Sequence, residues 1–520
     1  MPRPYALKDA DVPDKTAHEI EINESSQLQG NELLSSSSAH LSKIEEQARE
    51  GSAMADPQGL PEDDERTKSQ IAAMIEAERD ALARRRRELE SCDCKAGMFP
   101  DPGRRRALFA AGSALAAGVT LGPGHAAAGK ASPGAVWRDV ADDPTKVPGT
   151  PTAEDGGYGS RSQFESDVRW RYPTPTTISS WTMAPLDRSE GIITPSGLHF
   201  ERHHGGIPTI DPARHFLFVH GMTQRPKKFS MTDIKRFPSV SRLHFIECSG
   251  NGLTEWRKPT LKTVQGTHGL LSTSEWTGVQ FSTIAREVGL KEGAAWVLAE
   301  GADSAVMTRS IPLEKLLNDG MLAYAQNGEA LRPEQGYPLR LILPGWEGNT
   351  HIKWLRRLEL SDKPFMTREE TSKYTDLLIS GKARQFSFTM EAKSVITFPS
   401  GEIKLPGTGL YEVTGLAWSG RGRIARVEVS ADGGKSWHLA ALQDPVLPIC
   451  TTRFRFPWFW NGQPAVLQSR ATDETGYIQP TLKQLVDIRG LAGPFGSVYH
   501  LNAIQSWAVA GDGSVSNVHA

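Results

Sequence analysis

Residues 242–252 read Arg242-Leu243-His244-Phe245-Ile246-Glu247-Cys248-Ser249-Gly250-Asn251-Gly252. Leu243 and Phe245 alternate with other side chains and the run then reaches Cys248, the pattern of a strand that ends on a glycine-rich turn. Glycines there let backbone amides come close to a bound group, and a thiol at a strand terminus faces a cleft more readily than a core. An isolated cysteine is also common as a buried structural thiol, so this segment alone leaves both readings open.

On either side of that turn the chain alternates between strand and helix patterns. Residues 215–220 read as a strand, 282–290 and 311–317 as helices, and 339–343 as a buried strand closed by Pro344-Gly345. A mixed α/β unit is therefore expected over 176–385. After Lys393 short strands follow one another: 409–418, 423–430, the turn Asp432-Gly433-Gly434, then 436–442. These predict an all-β sandwich over 386–505, with 506–520 left as a tail.

Composition bounds the function class. A chain of 520 residues is too long for one core, and a formal net charge of −2 argues against a nucleic-acid binder. No apolar stretch reaches the roughly 20 residues of a membrane span. Four cysteines occur, Cys92, Cys94, Cys248 and Cys450, at no cluster-binding spacing and with no Cys-x-x-Cys-His, so no haem is expected in this chain.

Residues 1–97 are polar, with a serine run at 35–38 and acidic residues at 62–65, and read as a disordered extension or as sequence upstream of a true start at Met98. Arg104-Arg105-Arg106, the apolar run 107–121 and Ala126-Ala127-Ala128 predict a twin-arginine export signal over 98–128, hence a periplasmic protein. Residues 129–175, rich in Gly, Pro, Thr and Asp, read as an N-terminal arm.

Several ordered segments together resemble the sulfite oxidase family, and within it most closely the molybdenum subunits of bacterial sulfane dehydrogenases. They are Gly197-Leu198-His199-Phe200-Glu201-Arg202-His203-His204, residues 244–252, Gln335-Gly336-Tyr337-Pro338-Leu339-Arg340, Pro344-Gly345-Trp346-Glu347-Gly348-Asn349, Ile352-Lys353-Trp354-Leu355-Arg356-Arg357 and Gly415-Leu416-Ala417-Trp418-Ser419-Gly420. The likeness covers about 176–505. It implies an α+β mixed molybdopterin-binding fold with a C-terminal immunoglobulin-like β-sandwich, and a homodimer formed through that sandwich. It implies a molybdenum held by one pterin and by the Cys248 thiolate, with Ser249, Gly250 and Asn251 beside the cofactor. Arg340 and Lys353 match residues on the cofactor phosphate, and His204 matches a cofactor-contacting histidine. Arg202 matches an arginine that steers an anionic sulfur substrate, and Tyr374 an active-site tyrosine.

The implied reaction is oxygen-atom transfer to reduced sulfur, with a c-type cytochrome as electron acceptor and a sulfur-carrier protein as one candidate substrate. Free sulfite oxidation and sulfoxide reduction stay open as alternatives. Outside this family, Cys248 could serve a thiol hydrolase with His244 or His268 as base, or the sandwich could be a binding module. The chain departs from the family's vertebrate members at Gly252-Leu253, where they have an arginine and this chain's next is Arg257. It also lacks a tryptophan near Gly266, although His268 is close by, and it carries Gln335 in place of a phosphate-contacting histidine.

Overall fold

The computed structural model describes residues 158–519 other than 163, 175–177, 373, 386 and 492–499. The expected extension, export signal and most of the arm lie outside the described residues.

Two five-stranded sheets build the first domain. One contains Ser239–Glu247, Leu271–Gln280, Met321–Gln326, Glu329–Ala330 and Arg340–Ile342, all antiparallel. The other runs Lys227–Ser230, Phe216–Gly221, Leu355–Ser361, Trp296–Gly301, Thr308–Pro312, with one parallel pair between Phe216–Gly221 and Leu355–Ser361. The short helices Met231–Arg236, Phe281–Val288 and Leu313–Asp319 pack with them around one apolar cluster. Phe281, Ile284, Ala285 and Val288 form the buried stripe of the second helix, at the spacing of one helical face. A three-stranded sheet, Trp170–Arg171, Ser180–Met183 and Glu201–His203, forms a third small layer.

The second domain is a sandwich. Lys393–Phe398, Gly409–Trp418, Thr452–Trp460 and Ala441–Gln443 form one sheet; His438–Leu439, Ile424–Ser430, Ala465–Asp473, Ser506–Val509 and Val515–Val518 form the other. Its core includes Val413, Trp418, Val427, Phe454 and Trp507, and continues into Phe245, Val264 and Leu271 of the first domain.

The expected strand at 242–248 begins earlier and stops one residue sooner, at Glu247. The helix expected over 311–317 starts only at Leu313, because Ile311 pairs in the sheet and Pro312, which has no amide to donate there, ends the strand and caps the helix. Residues 436–442 are two strands in different sheets, joined at Ala440, whose amide bonds the Val427 carbonyl. Residues 506–520 are not a tail: Ser506–Val509 pairs with Ala465–Gln468 and buries Trp507 completely, and Val515–Val518 adds the next strand. Within the expected arm, Trp170–Arg171 is already an edge strand.

Candidate active site

Side chains of a strand alternate between two faces, and the strand Ser239–Glu247 uses both. Phe245 and Glu247 enter the sandwich side, Phe245 in the sandwich core and Glu247 bonded to Lys393 and Trp418. Ile246 and, just past the strand, Cys248 face a cavity of about 420 Å³. The Cys248 amide is fixed by the Leu270 carbonyl at 3.0 Å, and its own carbonyl accepts from Asn251 N at 2.9 Å to close the turn. Gly252 completes that turn at φ +84°, a conformation other residues adopt only under strain.

Arg202, His204, Cys248, Ser249, Gly250, Arg340, Lys353 and Tyr374 all line the cavity, drawn together from positions spanning more than half of the first domain. Asn251 does not line it. That side chain is turned into the protein, donating to Glu247 Oε1 at 2.9 Å and accepting from Leu270 N at 3.1 Å, so it shapes the cysteine turn from behind. His244 and His268 do not line it either; His268 is buried against Thr267 at 2.8 Å, so neither of the two histidines expected as a hydrolase base shares the cavity with Cys248. Arg257 is turned to the Leu491 carbonyl.

The cavity is net cationic, with Arg202, Arg340 and Lys353 set against Asp303 among its lining residues. Arg340 is 3% exposed, and among the described residues it bonds only carbonyl and amide oxygens: Gln335 O at 3.0 Å, Gln335 Oε1 at 3.3 Å and His351 O at 3.4 Å. Its Nε has no partner. Burial pulls the Arg340 guanidinium down from 12.5 to about 9. Lys353 Nζ also bonds carbonyls, Arg202 O and Glu334 O at 2.9 Å each, and burial with the nearby Arg340 brings it down to about 7. Buried cations held by neutral oxygens are costly unless an anion joins them.

The other walls suit a flat ligand. Trp181, Trp354, Tyr172 and Tyr374 line the cavity, and the Arg202 guanidinium lies 4.9 Å above the Trp181 ring. Arg202 is fixed further by Ser179 Oγ at 3.2 Å and His204 Nδ1 at 3.2 Å. His199 is kept neutral by burial, at about 3, bonds the Phe200 carbonyl through Nδ1 and has no partner at Nε2. Burial raises the Cys248 thiol while Arg202 pulls it the other way. Among the described residues no three His, Cys, Asp or Glu side chains are grouped to hold a metal ion. A metal at Cys248 would thus have one protein ligand and need the rest from an organic group. The Arg340 Nε without a partner among the described residues, the Lys353 ammonium bonded to carbonyls, and the single thiol fit a molybdenum carried by an anionic pterin.

Sequence reasoning missed Tyr172, although Trp170-Arg171-Tyr172 is an aromatic cluster inside an otherwise polar arm. It also passed over Asn349, which donates to Ser249 Oγ at 3.0 Å and to Glu347 at 2.8 Å. Gln335, noted as a departure, stands beside Arg340 and donates to Phe200 O at 2.9 Å.

Comparison with known proteins bears directly on this cavity. Residues 204–369 match the family of the oxidoreductase molybdopterin binding domain, and 384–506 match the Mo-co oxidoreductase dimerisation domain, which supports a homodimer. The crystal structure of the sulfane dehydrogenase SoxCD from Paracoccus pantotrophus is similar with a TM-score of 0.64 and 42% identity, covering 75% of this chain and 98% of that one. Nitrate reductase [NADH] of Ulva prolifera is 32% identical over 280 residues, 48% of this chain and 32% of that protein. Nitrate reductase [NAD(P)H] of Hordeum vulgare is 32% identical over 340 residues, 57% of this chain and 38% of that protein. The chain thus spans about a third of the length of these nitrate reductases. Among the described residues no helix is long and apolar enough to cross a membrane. With both matching domains in order and a sulfane dehydrogenase matched at 42% identity over 98% of its length, the chain belongs to the sulfite oxidase family of molybdopterin oxidoreductases.

Proposed function

We propose that this protein is an exported, periplasmic enzyme that adds oxygen to reduced sulfur, either sulfane sulfur on a carrier protein's cysteine or free sulfite, and passes the electrons to a c-type cytochrome. The observation that carries the reading is the cavity in which the Cys248 thiol and the Arg202 guanidinium lie together. Sulfur gains one oxygen from water, and two electrons and two protons leave. When bound, the pterin-held molybdenum supplies the oxygen-atom and electron chemistry.

The chain's own residues bind and orient. Arg340 and Lys353 hold the pterin phosphate, and Cys248 provides the protein's thiolate. Arg202, pinned on Trp181, presents a fork of donors to an anionic sulfur group. Tyr374 stays protonated, because burial raises its phenol, and serves as a donor toward the reacting group.

Nitrate reduction is the second reading, favoured by the names of the plant and algal relatives. Sulfur is preferred because the sulfane dehydrogenase is matched at higher identity and over nearly its whole length. The test is turnover of molybdenum-loaded enzyme with oxidised cytochrome c. Reduction of the cytochrome on adding sulfite, or a protein bearing a cysteine persulfide, is expected. Faster reduction of nitrate from a viologen donor than oxidation of either sulfur compound would overturn the proposal.

A further inference from the structure

The sandwich reaches into the active site from behind. Glu247, the residue before the ligand cysteine, and Lys393, the first residue of the strand Lys393–Phe398, are both fully buried and lie 2.9 Å apart. Trp418 Nε1 donates to the other carboxylate oxygen at 2.6 Å. Lys393 and Trp418 are register partners across two paired strands, so one rung of the sandwich supplies both donors. Asn251 Nδ2 adds a third bond to Glu247 at 2.9 Å, and Lys393 Nζ also bonds the Asn251 carbonyl at 3.2 Å. The grip therefore spans the cysteine turn, holding it at 247 and at 251.

The same strand is tied to the sandwich at alternate positions. Cys450 Sγ donates to Leu243 O at 2.9 Å, and Phe245 N donates to Ile449 O at 3.0 Å. These two bonds use the free backbone edge of the strand, Glu247 anchors its sandwich face, and the opposite face carries Ile246 and Cys248 to the cavity. Close backbone approach reinforces the contact: a Cβ on Gly345 would lie 2.2 Å from the Gly420 carbonyl oxygen.

We infer that Lys393 and Trp418 of the dimerisation domain are positioning residues for the metal ligand, setting the direction of the Cys248 sulfur through Glu247 and Asn251. The domain thereby has a role inside each subunit in addition to joining two of them. This rests on Cys248 being the molybdenum ligand. A buried carboxylate with three donors has little rotational freedom, and the thiol one residue away inherits that restriction.

The test uses the full chain with two readouts: the rate at which iodoacetamide alkylates Cys248 in cofactor-free protein, resolved by peptide mass spectrometry, and the electron paramagnetic resonance g-values of the molybdenum in loaded protein brought to its one-electron-reduced, paramagnetic state with a chemical reductant. Lys393→Met paired with Glu247→Gln removes the charges together, so that no lone buried ion disturbs folding. Alkylation about 10-fold faster and shifted g-values, in a protein that melts as the parent does, are expected. Parental alkylation and parental g-values in the folded double variant would overturn the inference. If that variant fails to fold, Trp418→Phe, which deletes one donor, is read in the same way and decides by the same two outcomes. Alkylation needs no metal and neither readout needs a substrate, so failure of the grip is separable from failure of the ligand or sulfur assignments.

Discussion

Replacing Arg340 by methionine should shift the cofactor-free and the loaded protein in opposite directions. In the free protein the guanidinium is buried, lacks a carboxylate and leaves Nε unpaired. At about 1.4 kcal/mol per pKa unit, its fall from 12.5 to about 9 corresponds to a burial cost on the order of 5 kcal/mol. Against this stand three bonds to neutral oxygens, each contributing roughly 1 kcal/mol. Methionine fills similar volume without charge, so the free protein should gain on the order of 2 kcal/mol. In the loaded protein the variant loses at least one charge-assisted bond to phosphate, about 1.5–3 kcal/mol, or roughly 10- to 100-fold in cofactor affinity. Urea unfolding of free protein and molybdenum content after dialysis measure the two arms. A free variant less stable than its parent, together with full metal retention, would make Arg340 an ordinary structural cation and refute the reasoning.

Cys248→Ser should keep the fold while abolishing molybdenum-dependent turnover, a loss of at least about 1000-fold checked by steady-state rate and near-ultraviolet circular dichroism; retained activity counts against the ligand assignment. Lys353, lowered to about 7 from 10.5, is penalised when charged in the fold. Between those values the unfolded chain binds more protons, so cofactor-free protein should grow more stable from about pH 7 to pH 10. Thermal midpoints across that range test it, and Lys353→Met should flatten the curve. Gly345→Ala should destabilise by more than about 2 kcal/mol in chemical denaturation, because its φ of +76° and the Gly420 carbonyl both exclude a Cβ.

The cysteine turn and the order of the two domains were legible in the chain, whereas Arg340 and Lys353 were reached only through the family resemblance, since either alone reads as an ordinary surface charge. The turn is written in local sequence, as a strand running into Ser249-Gly250-Asn251-Gly252. Strand parity was not legible. Whether Phe245 and Glu247 or Ile246 and Cys248 face the cavity depends on which domain covers which side, and both faces carry apolar residues. Asn251 was misplaced for that reason, since its position in the turn looks the same from either side. The strand Ser506–Val509 was hidden by Gly511-Asp512-Gly513, which reads as loose chain until Trp507 is seen filling the sandwich core.

The last strand reaches back to the first domain. Asn517 Nδ2 bonds Glu255 Oε2 at 2.6 Å and Leu261 O at 2.7 Å, on the segment that follows the cysteine turn. Those contacts cannot form until residue 517 has left the ribosome. The loop that carries Leu253 and Thr254 to the cavity wall therefore gains these anchors only after both domains have been synthesised.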